Sequence, residues 1–143
     1  MFASPDRRLP ALLLAFLSLS LFVSCADSGP ALAGTWEGDG MVLAVREDRS
    51  AVWTLDTPGG RESFDVAWSL DASAEPQHFD VSGFDRGPLA GQTLYGIVEF
   101  TDPDTLRWDA APGPAGAADA EAVRPTVFSP EDTRTLHRVV SQE

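Results

Sequence analysis

Phe64-Asp65-Val66-Ala67-Trp68-Ser69-Leu70-Asp71 alternates between large apolar side chains and small or acidic ones. A period of two is the signature of a strand with one face in a core and the other in water, so Phe64, Val66, Trp68 and Leu70 are expected inside. Upstream, Ala51, Trp53 and Leu55 alternate with Val52, Thr54 and Asp56. The two runs are separated by Thr57-Pro58-Gly59-Gly60, a Pro-Gly turn sequence expected to supply a fixed φ followed by a positive one. They read as a β-hairpin.

Working outward, Thr35 to Gly38, Met41 to Arg46, Gln77 to Gly83, Thr93 to Thr101, Thr105 to Asp109, Thr126 to Phe128 and Thr133 to Val140 read as further strands. Glu47-Asp48-Arg49-Ser50 and Asp102-Pro103-Asp104 fit short antiparallel turns, whereas parallel strands need crossovers of a dozen or more residues. The expected fold is therefore all-β: an antiparallel up-and-down meander of about eight to nine strands, closing into a small barrel that leaves no open edge. Asp85 to Gly91 reads as a Gly/Pro loop. Ala110 to Val123, rich in Ala, Gly and Pro, reads as a mobile insertion too poor in large apolar residues to pack.

The N-terminus has a different grammar. Arg7 and Arg8 precede an apolar run that ends at Val23, and Ser24 precedes Cys25, the single cysteine of the 143 residues. This is signal-peptide anatomy, and the 13 residues from Ala11 to Val23 fall short of the roughly 20 that a spanning helix needs. Phe22-Val23-Ser24-Cys25 resembles the bacterial lipobox, with Phe22 where leucine is usual. That resemblance implies a diacylglyceryl group on the Cys25 sulfur and cleavage ahead of it. The expected organisation is a lipoprotein signal peptide over 1–24, lipidated cysteine and tether over 25–31, and barrel over 32–140. The protein would then face the periplasm from a membrane, the outer one because Ala26 rather than aspartate follows the cysteine.

Charge and composition exclude several function classes. The chain carries a formal charge of −12 and no lysine, and its arginines after the first 24 residues stand singly. Nucleic acid, which demands clustered cations, is not an expected partner. Nucleophilic catalysis needs a base beside a Ser, Thr or Cys. Only His78 and His137 are available, and Cys25 is consumed by lipid, so no enzyme is expected. His78 with Asp80 on one strand face supplies at most two ligands for a metal, and Asp102-Pro103-Asp104, Asp119-Ala120-Glu121 and Glu131-Asp132 lack a calcium-loop pattern; neither metal nor cofactor is expected. With 22 acidic residues, carboxylate pairs at glycosidase spacing carry no signal.

One group remains. Trp36, Trp53, Trp68, Trp108, Phe64, Phe79 and Phe100, with Tyr95, either line an apolar pocket for a small ligand or form a solid core. The first alternative makes the protein a binder of a small apolar molecule. The second makes it a non-catalytic interaction or structural module that meets an envelope protein through its acidic surface, and it is preferred for so small a barrel.

Leu32-Ala33-Gly34-Thr35-Trp36, Leu70-Asp71, Glu75-Pro76-Gln77-His78-Phe79-Asp80, Gly91-Gln92-Thr93-Leu94-Tyr95-Gly96-Ile97, Asp104-Thr105-Leu106, Arg124-Pro125-Thr126-Val127-Phe128 and Leu136-His137-Arg138 follow one another along nearly the whole of 32–139. In this order they resemble a small lipocalin-like domain abundant in planctomycetes and related bacteria, which has no assigned biochemical function. The resemblance implies that the Trp36 indole plugs one barrel end, that Gly96 admits a close neighbour, and that Pro76 and Pro125 set strand entrances. Trp108-Asp109 departs from that domain's pattern and is expected to add bulk to the interior.

Overall fold

A computed structural model describes residues 31–140 of the protein. The expected signal peptide, Cys25 and most of the expected tether lie outside the described residues. Eight antiparallel strands follow in chain order and close into a barrel: β1 (Gly34–Gly38), β2 (Met41–Val45), β3 (Ser50–Thr57), β4 (Gly60–Asp71), β5 (Gln77–Ser82), β6 (Gln92–Asp102), β7 (Thr105–Pro114) and β8 (Arg134–Arg138). Each strand pairs with its sequence neighbour, and β1 meets β8 through Trp36 opposite Arg138 and Glu37 opposite His137. The expected meander and its closure are both present.

The deciding stretch behaves as its alternation dictates. Phe64 and Val66 are buried and Trp68 and Leu70 half-buried, while Asp65, Ala67, Ser69 and Asp71 are exposed. Thr57 pairs with Gly60 across a two-residue turn, but the positive φ falls on Gly60 (120°), one residue later than the Pro-Gly step suggested. Antiparallel partners share a face, so the register aligns Trp36, Leu43, Trp53 and Phe64 as one inward row around the wall. A fully buried side chain of this kind contributes about 1.5–3 kcal/mol.

Three expectations need correction beyond β7. That strand runs on to Pro114, and a short helix, α1 (Ala117–Val123), follows, so most of Ala110–Val123 lies in regular elements of the fold. Its small residues are what allow it: a Cβ on Gly113 would stand 2.9 Å from Val123 Cγ2 and 3.2 Å from the Tyr95 ring. Thr126–Phe128 is no strand; it belongs to a strap that crosses the outer wall, with the Phe128 ring 4.4 Å from the Arg107 guanidinium. Pro125 accordingly follows α1 rather than opening a strand, whereas Pro76 does precede β5.

The connections divide the barrel into two ends. Loops 46–49, 72–76 and 103–104 lie at the end where the chain enters, called lower here. Turns 39–40 and 58–59 and loop 83–91 lie at the upper end, where strap 115–133 also leaves β7 and returns to β8 after running down the outer wall to Phe128 beside Arg107.

Candidate functional site

The lower end is plugged at its centre by Trp36, and beside the plug an open apolar groove of about 410 Å³ is lined by Leu32, Arg49, Trp68, Leu70 and Phe100. Trp36 is fully buried, packs edge-on against Phe100 at 5.9 Å between ring centroids, and donates its indole N–H to the Leu32 carbonyl at 2.9 Å. Arg138, pointing inward from the last strand, lies 4.3 Å from the Trp36 ring. Its guanidinium donates to the carbonyls of Ala31 (2.7 Å), Ala33 (3.0 Å) and Pro103 (3.3 Å) and to Asp104 Oδ1 (3.2 Å). Gly34 makes room for it: φ is 139°, and a Cβ there would stand 2.6 Å from Arg138 Nη1. One side chain therefore ties the entering segment, the β6–β7 turn and the first indole together. Trp68 closes the neighbouring sector, its N–H donated to the Arg46 carbonyl at 2.9 Å and its ring 4.7 Å from Arg49.

The middle of the barrel is held from both sides of its wall. Backbone pairing of β5 and β6 lapses between His78/Ile97 and Val81/Leu94. Inside, Trp108 crosses Gly96 and donates its indole N–H to the Phe79 carbonyl at 3.1 Å; a Cβ on Gly96 would lie 2.2 Å from that nitrogen. Outside, Gly96 donates its N–H to Asp80 Oδ1 (3.1 Å), and its carbonyl accepts from Arg124 Nη1 (2.8 Å). Arg124 also pairs with both Asp80 oxygens, and the hydrogen bond from this guanidinium to the carboxylate raises the arginine's pKa further above its ordinary value. A partly buried ion pair across the seam thus stands where the ladder lapses.

Asp80 is consequently spoken for, and the His78–Asp80 pair supplies no open ligand set; no cluster of metal-ligating residues occurs among the described residues. Asp109 also departs from its expected place. Trp108 fills the interior, but Asp109 faces outward and is only 3% exposed, because its Oδ2 accepts from the Ser129 backbone N–H (2.9 Å) and Thr133 Oγ1 (3.1 Å) and pins the strap. Tyr95 is likewise on the outer wall, where its hydroxyl lies 2.6 Å from the Pro114 carbonyl and accepts the Gly116 N–H at 3.2 Å. It leaves the interior aromatic set.

The upper end is different. Phe84 dips from loop 83–91 and meets Trp53 and Phe64 at centroid distances of 5.2 and 6.0 Å. Beside this plug a cavity of about 190 Å³ remains, walled by Met41, Trp53, Leu94, Trp108 and Ala110, with Asp132 and Arg134 at its mouth. Arg134 pairs with Trp108 in the β7–β8 register and so points to the barrel axis. Among the described residues it makes no ion pair, while Asp132 accepts only from Ser129 Oγ, at 3.2 Å. Trp53 is buried, and its Nε1–H has no hydrogen-bond partner among the described residues, whereas the other three indoles each bond a backbone carbonyl.

Of the seven aromatics singled out from sequence, Trp36 and Phe79 are fully buried core, Trp68 and Phe100 pack against that core and line the lower groove, and Trp53 and Trp108 line the upper cavity. Phe64 flanks the Phe84 plug. Core and pocket lining are thus both represented in the set. Asp132 is weighed from sequence only as a calcium ligand and set aside, and Arg134 is not singled out; the inward parity of Arg134 with Leu136 and Arg138 along one strand is the signal that could have found the arginine. No protein-family model, no curated protein and no solved structure matches this chain.

Proposed function

We propose that this chain is a lipid-anchored protein of the bacterial cell envelope, held through Cys25 at the periplasmic face of the outer membrane, whose lipocalin-like barrel is a non-catalytic interaction or structural module. The observation that carries this reading is where the chain enters the fold. Ala31, six positions after Cys25, is gripped by Arg138 at the lower end. Six extended residues reach roughly 20 Å, so a lipid on Cys25 keeps the lower end beside the bilayer and turns the upper mouth toward the aqueous space. Two or more acyl chains give an attachment that does not release spontaneously. The non-catalytic reading is supported by where the histidines stand: His78 lies opposite exposed Asp71, and His137, whose Nδ1 meets Thr105 Oγ1 at 3.3 Å, makes that base–hydroxyl contact on the exposed outer face and away from the upper cavity.

A second reading, uptake of a small apolar molecule, is favoured by the upper cavity between Trp53 and Trp108. The anchoring is tested by labelled fatty acid and membrane fractionation. Cys25→Ser is expected to abolish label incorporation and to release the protein into the soluble fraction. Retention of both label and membrane association by the variant would overturn the proposal.

A further inference from the structure

We infer that the upper cavity takes a small apolar molecule whose head carries both a carboxylate and an ammonium, with its body between Trp53, Trp108 and Leu94 and its head between Arg134 and Asp132. The inference rests on the ligand-binding reading above and specifies the ligand's chemistry. Size comes first: an apolar cavity of about 150 Å³ holds benzene, so 190 Å³ admits one ring or a branched aliphatic group with a compact head.

Charge then selects the head. Arg134 presents an unpaired guanidinium at the mouth, and a guanidinium recognises a carboxylate through paired N–H donors. Asp132 stands at the same mouth with its Oδ2 turned to Ser129 Oγ, leaving carboxylate capacity for a donor. A ligand with a carboxylate alone places like charge against Asp132 and approaches a protein of net charge −12. An amine alone meets Arg134. An uncharged apolar molecule desolvates both rim charges without pairing either. A zwitterion has no net charge to be repelled, and it pairs both.

Isothermal titration of the full-length protein with L-phenylalanine, L-leucine, 3-phenylpropionate, 2-phenylethylamine and ethylbenzene tests the assignment. One of the two amino acids is expected to bind at least about tenfold more tightly than the three single-head or headless probes, the preference corresponding to one rim contact. Arg134→Gln and Asp132→Asn are each expected to erase that preference while the fold, read by near-UV circular dichroism, is kept. Equal or tighter binding of ethylbenzene would overturn the head-group assignment and leave the ligand-binding reading standing. Binding of none of the five would overturn both.

Discussion

The two ends of one barrel are built from the same kinds of residue and differ in completion. At the lower end an inward arginine, Arg138, lies on an indole and spends its donors on three backbone carbonyls and a carboxylate; at the upper end an inward arginine of the same strand, Arg134, faces an indole pair with no ion pair of its own. Trp36 donates its N–H and Trp53 does not. Buried polar groups left unpaired cost stability; among the described residues Trp53 Nε1 is one, with Arg107 Nε and Arg124 Nε on the outer wall, and Trp53 is the one that lines the upper cavity, where ligand binding would recover the deficit. The lower end, by contrast, is the structural terminus that a tether would pull on.

The largest expected effect contrasts the two arginines. Arg138→Ala removes the ring contact and four hydrogen bonds and is expected to cost about 2 kcal/mol in urea denaturation, whereas Arg134→Ala should stay within about 0.5 kcal/mol. Equal losses would erase the distinction between the ends. A smaller effect separates the indoles: Trp36→Phe and Trp53→Phe remove the same volume, but only the first breaks a hydrogen bond, so it should be the more destabilising by about 1 kcal/mol.

The smallest effect is in acid. In the lower loops Ser50 and Ser73 hydrogen-bond the carboxylates of Asp48 and Asp71, through hydroxyl and backbone N–H, and hold both below the ordinary aspartate value of 3.8; Arg61 does the same for Asp56 at the upper end. A carboxyl whose folded pKa is depressed adds stability that is present above its unfolded value and lost as pH falls through the folded one. Denaturation midpoints should therefore begin to drop below about pH 4. Combined Ser50→Ala and Ser73→Ala should flatten that decline, and an unchanged acid limb would show that these turns contribute nothing there.

Where side chains alternate, the fold was legible. Phe64 to Asp71 placed β4 because local periodicity sufficed, whereas Trp36 as an end plug came from the resemblance and not from periodicity. Ala110 to Val123 was misread for a physical reason: poverty in large side chains was taken as inability to pack, yet Gly113 is small so that Val123 and Tyr95 can approach. The strap was also invisible because its fasteners are distant in sequence. Asp80 and Arg124 are 44 positions apart, and Asp109 holds Ser129 and Thr133 from 20 and 24 positions away. The site suffered similarly. Parity predicts that Arg134 points inward, but that it goes unpaired depends on Asp104 and the entering segment lying at the other end.

The contrast between the ends is tested most directly by hydrogen exchange of the four indole N–H groups, followed by ¹H–¹⁵N nuclear magnetic resonance and assigned with single Trp→Phe variants. Slow exchange is predicted for Trp36, Trp68 and Trp108, with Trp53 exchanging markedly faster. Protection of Trp53 equal to that of Trp36 would mean that the upper end is as complete as the lower, and would contradict the account.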